Sequence, residues 1–143
     1  MAKMIFVNLP VSNLAHSTAF YEAIGATKNL QFSDDTASCM MISETIHVML
    51  LTHDKFRQFT PKTISDAKTT SEVLICLSAD GRDAVDDILT KAKAAGGSGD
   101  PGPKQDYGFM YGRSFEDPDG HIWEIMWMDV EAATKAQSAA ATA

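Results

Sequence analysis

Apolar positions along the chain fall into short β-type runs and one-faced helical spacings, and the order of these patterns occurs twice. Ile5-Phe6-Val7 with Leu9 reads as a strand that Pro10 loosens. Asn13 then caps a helix over 14–24, with Leu14, Tyr21 and Ile24 on one face, Phe20 beside it and Gly25 as the stop. Strands follow at about 27–32, 36–43 and 45–52, separated by Ser33-Asp34-Asp35 and Ser43-Glu44. A polar connection over 53–70 carries Phe56, Phe59 and Pro61 and has room for a short helical turn; it reads as a linker between units or as a binding loop. The pattern then restarts with a strand over 71–78, Asp80 as a cap, Val85, Ile88, Leu89 and Ala92 at helical spacing, and Gly96-Gly97 as the stop. A Gly/Pro-rich stretch over 96–103 leads to a weak edge strand, and strands over 109–116 and 121–128 complete a second β-α-β-β-β unit. The duplication is one of element order, not of residue identity.

The last two strands flank Asp117-Pro118-Asp119-Gly120, where Pro118 presets φ for a type I turn and Gly120 supplies the left-handed residue that sends the chain back. With Gly120 as a bulge, Asp117 faces His121 and Ser114 faces Glu124. Trp123, Ile125 and Trp127 should lie beneath a helix. Glu124 stands among Trp123, Ile125, Met126 and Trp127, so its carboxylate must be paired, protonated, bound to a metal or set in a wet cavity.

Composition narrows the class. The chain has 143 residues, 45% of them hydrophobic, enough for one domain over 1–130 with modules at about 4–52 and 71–129. Residues 131–143 are rich in Ala, Thr, Ser and Gln without an apolar stripe, and read as a flexible tail, either a frayed helix or disordered. A formal charge of −7 without a Lys/Arg cluster argues against nucleic acid and anionic membrane as partners. Cys39 and Cys76 sit in apolar runs without metal or disulfide spacing, which predicts two reduced, buried thiols. No signal peptide or membrane-spanning run is visible, so a cytoplasmic protein is expected.

Phe115-x-Asp117-Pro118-Asp119-Gly120-His121-x-x-Glu124, with Val11-x-Asn13-Leu14-x-x-Ser17-x-x-Phe20-Tyr21-x-x-x-Gly25 upstream, resembles the vicinal oxygen chelate superfamily, which includes glyoxalase I, bleomycin- and fosfomycin-resistance proteins and extradiol dioxygenases. The resemblance covers about residues 4–129. It implies an α+β fold in which two βαβββ modules form a curved mixed sheet around a central cavity, with helices outside. It also implies a divalent metal held by side chains of both modules. Carried onto this chain, those ligand positions fall on Phe6, near Met49, near Leu74 and on Glu124, and only Glu124 is a ligand type. No cofactor is therefore expected, and a different metal set of Asn8, His47 and Glu124 is the alternative. The family further implies a homodimer.

Strand parity assigns the cavity lining to Phe6, Asn8, His47, Met49, Leu51, Leu74, Cys76, Met110, Ser114, Glu124 and Met126, an apolar pocket with a few polar groups. The alternatives are a filled cavity, a hydrogen-bonded strand histidine at His47, and a His121 that bonds back to Asp117. The aromatic and Gly mixture over 105–113 reads equally as a pocket rim or a packed strand entry, and Arg113 as a partner for a surface carboxylate. Three functions follow from the resemblance. One is a metal-independent binder of a small molecule, for which the acidic balance suits a cation. Another is a lactoylglutathione lyase-like enzyme with Glu124 as a general base whose pKa desolvation would raise. The third is a retained fold in an interaction role.

Overall fold

The computed structural model describes residues 2–142, with side chains through Ala139; residues 1 and 143, the outer bounds of the expected domain and tail, lie outside the described residues. In β1 (Ile5–Val11) the residues Val7, Leu9 and Val11 turn to the core, and Phe6 and Asn8 turn away from it. Helix α1 (Leu14–Ala23) begins at Asn13, whose side-chain oxygen accepts from the His16 N–H at 3.0 Å, and Gly25 follows it at φ +113°. β2 (Thr27–Asn29) stops short of the expected Phe32. The Asn29 side chain accepts from Gln31 N at 3.0 Å and Ser33 Oγ donates to the Asn29 carbonyl at 2.6 Å, which draws Leu30–Phe32 into a 3₁₀ turn. β3 (Ala37–Met41) and β4 (Ile46–Thr52) complete a sheet of order β1-β4-β3-β2, with β1 and β4 parallel. Thr52 caps α2 (His53–Arg57), the helical turn for which the polar connection has room.

The second unit repeats this order. β5 (Ile75–Ser78) is shorter than the expected 71–78, and α3 (Arg82–Ala94) is preceded by Gly81 as N-cap, not by Asp80. β8 (Met110–Glu116) and β9 (Ile122–Met128) form the hairpin; β5 pairs parallel with β9, and β6 (Ser98–Gly99) and β7 (Gln105–Asp106) both pair with the outer edge of β8. The hairpin register is the predicted one: Ser114 faces Glu124, and Asp117 N donates to the His121 carbonyl at 3.0 Å. Helix α4 (Val130–Thr142), capped by Asp129 Oδ1 on Ala132 N at 3.1 Å, takes the helical alternative for the Ala-rich tail. Among the described residues no helix is long and apolar enough to cross a membrane.

One core serves both units. Phe20 and Tyr21 of α1 pack on Phe115 and Trp123 of the hairpin, with ring centroids 5.9 and 6.0 Å apart, alongside Val85, Leu89 and Ala92 of α3. Trp123 and Ile125 are buried as expected, whereas Trp127 is only half-buried, with the Arg82 guanidinium 5.6 Å from its ring. The α+β fold of two modules is the expected one, and each module carries its own mixed sheet, β1 pairing only with β4 and β5 only with β9. Since the helix-covered faces meet in the shared core, the opposite faces are left open. Phe6, Leu74 and Cys76 on those faces are exposed. Cys76 is thus not the buried thiol the sequence suggested, because it sits on an edge strand facing away from the core; Cys39 is buried.

Candidate functional site

The Asp-Pro-Asp-Gly turn, the most conspicuous motif, is a structural clamp. Asp117 Oδ2 accepts from Tyr21 Oη at 2.6 Å, and Oδ1 accepts from the backbone N–H groups of Asp119 and His121 at 3.0 and 2.9 Å. Trp123 Nε1 donates to Tyr21 Oη at 2.9 Å, and Asp119 accepts from Ser12 N and Ser17 Oγ at 2.9 and 3.2 Å. His121 returns to Asp117 through its backbone, while its ring donates to the Pro10 carbonyl at 2.8 Å. Burial pushes the Asp117 carboxyl above the ordinary carboxylate range, against the opposing pull of His121 and the Tyr21 hydrogen bond. Burial, reinforced by Asp117, raises Tyr21 well above its usual value. Both oxygens of Asp117 are engaged and the side chain is buried, so it serves the clamp and not a ligand site.

Seven residues along the chain, Glu124 is in the opposite situation. It lies on β9 between Cys76 of β5 and Ser114 of β8, in a cavity of about 480 Å³ whose other walls include Leu74, Met110, Ile122 and Met126. Ser114 Oγ accepts from Gly102 N at 3.2 Å. The Glu124 carboxylate carries no hydrogen bond or ion pair to any other described residue. Burial, and secondarily the Glu124 charge, raises the Cys76 thiol above its usual pKa. Arg113 is the one cation among the lining residues, and it is fully engaged elsewhere: Nε and Nη2 fork onto Asp100 at 3.0 and 2.6 Å, and Nη1 reaches Asp86 at 3.0 Å. The expected exposed pairing is therefore a largely buried one, since Arg113 faces α3.

The predicted lining residues divide between the sheets. Leu74, Cys76, Met110, Ser114, Glu124 and Met126 meet in this cavity. Phe6 stacks on His47 at 4.7 Å; His47 is buried, with Nε2 donating to the Glu44 carbonyl at 3.2 Å and Nδ1 3.9 Å from Cys39 Sγ. Asn8 lines a separate cleft beneath residues 60–73, Met49 is half-buried between Asn8 and Cys39, and Leu51 is buried. Pro101, Gly102, Pro103 and Gln105 complete the Glu124 cavity. The Gly/Pro richness of 96–103 was the signal for this wall, but it reads first as a turn. A larger cleft of about 790 Å³ lies between residues 60–68 and the turn; its fixed groups Asp119 and His121 are already bonded to Ser12, Ser17 and Pro10, so it offers mainly solvent-facing side chains.

A divalent metal does not fit the donors near Glu124, which are one thiol, one hydroxyl already accepting a hydrogen bond, one neutral amide on Gln105, and thioethers, with no second carboxylate or imidazole among them. Among the described residues no group of three His, Cys, Asp or Glu side chains could hold an ion. Asn8, His47 and Glu124 are not brought together either, because His47 is closed off beneath Phe6 and Asn8 opens to another cleft. The geometry suits retention of a compact molecule with an apolar body and one group complementary to a carboxylate.

Comparison with known proteins agrees with this architecture. The model of the Glyoxalase/Bleomycin resistance protein/Dioxygenase superfamily matches residues 3–125. A hypothetical protein from S. aureus is similar at 26% identity and TM-score 0.74, over 89% of this chain and 94% of that one. A glyoxalase/bleomycin resistance protein/dioxygenase family enzyme from Burkholderia phytofirmans is similar in fold at 19% identity and TM-score 0.71, over 89% of this chain and 99% of its own. A fosfomycin resistance protein from Listeria monocytogenes, at 20% identity and TM-score 0.61, covers 89% of this chain and 91% of its own. A search of curated proteins returned no significant match.

Proposed function

The chain belongs to the Glyoxalase/Bleomycin resistance protein/Dioxygenase superfamily, and on that premise we propose that it binds a small organic cation with an apolar body beside Glu124, without a divalent metal. The observation that carries this reading is the unpartnered carboxylate in a wall of Leu74, Ile122, Met110 and Met126. An ammonium placed there gains a charge-assisted hydrogen bond while its hydrocarbon covers the apolar wall, and the thioethers adapt to its shape. A lactoylglutathione lyase-like reaction with Glu124 as general base is less well served. An anionic thiol conjugate calls for free cations, and Arg113 is held by Asp100 and Asp86.

The active form in this reading is a homodimer. Ile5, Phe6, Val73 and Leu74 leave apolar surface exposed along the open edges of β1 and β5, and a second copy covering them would roof the Glu124 cavity. Light scattering at about ten micromolar should give twice the chain mass; a monomer there would remove the roof from the proposal.

The binding test is a thermal-shift screen of organic ammonium compounds against neutral isosteres of the same shape. Ammonium compounds should raise the melting temperature, and Glu124→Gln should weaken binding by about tenfold or more, the worth of one charge-assisted hydrogen bond. Equal binding of the neutral isosteres, or full binding by Glu124→Gln, would reject the reading. Elemental analysis showing about one metal ion per chain, lost with binding in Glu124→Gln, would reject its metal-free part.

A further inference from the structure

The segment 100–104 leaves the edge of β8 between β6 and β7, and its Pro101, Gly102 and Pro103 form one wall of the Glu124 cavity. Pro101 and Pro103 have no N–H to give the sheet. Asp100 N donates to the Ser114 carbonyl at 2.7 Å where the arch begins, and Gly102 N makes the tie across its middle, to Ser114 Oγ at 3.2 Å. The arch is therefore held at its feet. At one foot, Asp100 adopts φ +51°, the one left-handed non-glycine conformation among the described residues, and its carboxylate receives the Arg113 fork. At the other, Asp106 receives a fork from Arg82 at 2.9 and 2.7 Å, and Arg82 also donates to the Gly108 carbonyl at 3.0 Å. The two feet differ in exposure. The Arg113 and Asp100 side chains are 11% and 23% exposed, against 39% and 51% for Arg82 and Asp106, so water competes far more at the second.

We propose that the arch 100–104 is the size-selecting wall of the cavity, and that Arg113, acting through Asp100, is the positioning residue that sets it. Arg113 reaches Asp86 on α3 with its remaining nitrogen, and Tyr111 Oη donates to the same Asp86 oxygen at 2.6 Å. The position of the wall is thereby referred to the helix and the shared core instead of to the loop itself. When the fork is lost, the left-handed turn at Asp100 is held only by its own N–H on the Ser114 carbonyl and by Gly102 N on Ser114 Oγ, and the arch loosens from the sheet, admitting larger molecules. The inference deepens the cavity reading above, but its test needs no ligand.

Cys76 lines the same cavity and is exposed, whereas Cys39 is buried, so alkylation of Cys76 reports entry. The rates of a small reagent, N-ethylmaleimide, and a bulky one, fluorescein maleimide, are compared on the full chain, with the labelled residue identified by peptide mass. The ratio of the two rates at one thiol cancels any change in thiolate fraction. Asp100→Asn should raise the bulky-to-small ratio by about tenfold, the factor for losing one charge-assisted contact. Asp100→Gly should do the same while accepting the left-handed backbone without strain, which keeps the test open if other variants fold poorly. Arg113→Lys, which keeps the charge but not the fork, should behave like Asp100→Asn. Asp106→Asn at the exposed foot should change the ratio by less than about twofold. An unchanged ratio in folded Asp100→Asn and Asp100→Gly overturns the proposal, as does a larger effect from Asp106→Asn. Loss of the Glu124 binding reading would leave these ratios untouched.

Discussion

The open faces of the two sheets are built with the same strand order and the same side-chain parity, yet the ionisable group on the inner strand of one is covered and bonded and that of the other is not. In the first, His47 lies beneath the Phe6 ring with both nitrogens in contact with protein atoms. In the second, Glu124 occupies the middle strand with no bonding partner, and the arch holds the space in front of it open. Duplication of a module thus preserves the scaffold while the polar groups on each face diverge in their commitments. What leaves a polar group available here is not its type or its strand position but whether its hydrogen-bonding capacity is already met.

The comparison can be broken most severely at the hairpin turn. Asp117→Ala removes the acceptor for Tyr21 and for the backbone N–H groups of Asp119 and His121, and should cost about 3 kcal/mol or more in urea unfolding. A cost below about 1 kcal/mol would mean the clamp is not what joins the units. Next comes Glu124→Gln, with about 2 kcal/mol lost from ammonium binding and no loss of melting temperature, since no native contact is broken. His47→Leu should show the inverse, about 1–2 kcal/mol lost from stability and little change in binding.

The smallest effect is in acid. The hydrogen bonds from Arg113 hold Asp100 below the usual carboxylate range, and Tyr111 followed by Arg113 does so for Asp86. A depressed folded pKa stabilises the fold above the unfolded value, and that contribution is lost as pH falls through the ordinary carboxylate range toward the folded one. For Asp117, raised by burial, the sign reverses: ionisation weakens the fold as pH rises from the unfolded value to the folded one, and acidification relieves this. Unfolding measured from neutral pH down to about pH 2 should therefore show a flatter acid limb in Asp100→Asn and a steeper one in Asp117→Asn, each changed by under about 1 kcal/mol.

The sequence disclosed the periodic elements and the hairpin register because those follow from local rules. Asn13 caps where it should, Gly120 turns the chain at φ +95°, and Ser114 meets Glu124 as the turn count requires. The lining was legible by strand parity only for the second sheet. Parity states which face a residue is on, not whether a neighbour has covered it, so His47 was assigned to a pocket although the Phe6 ring covers it. The division into two sheets and the exposure of Cys76 depend on which edges of β1 and β5 stay unpaired, a long-range property that composition does not encode. The arch was hidden for a different reason: its geometry comes from Asp100 in an unusual backbone conformation and from Arg113, 13 residues further along the chain.

The clamp between Tyr21 and the turn also bears on how the chain is made. Tyr21 and Asp117 are separated by 96 positions, and Tyr21 and Trp123 by 102. A ribosome that has released only the first module presents Phe20 and Tyr21 to solvent without the aromatic partners that bury them. The nascent half-protein is therefore left with an apolar helix face until the final hairpin emerges, a long-range closure that slows folding and marks the first module as the segment most dependent on chaperones during translation.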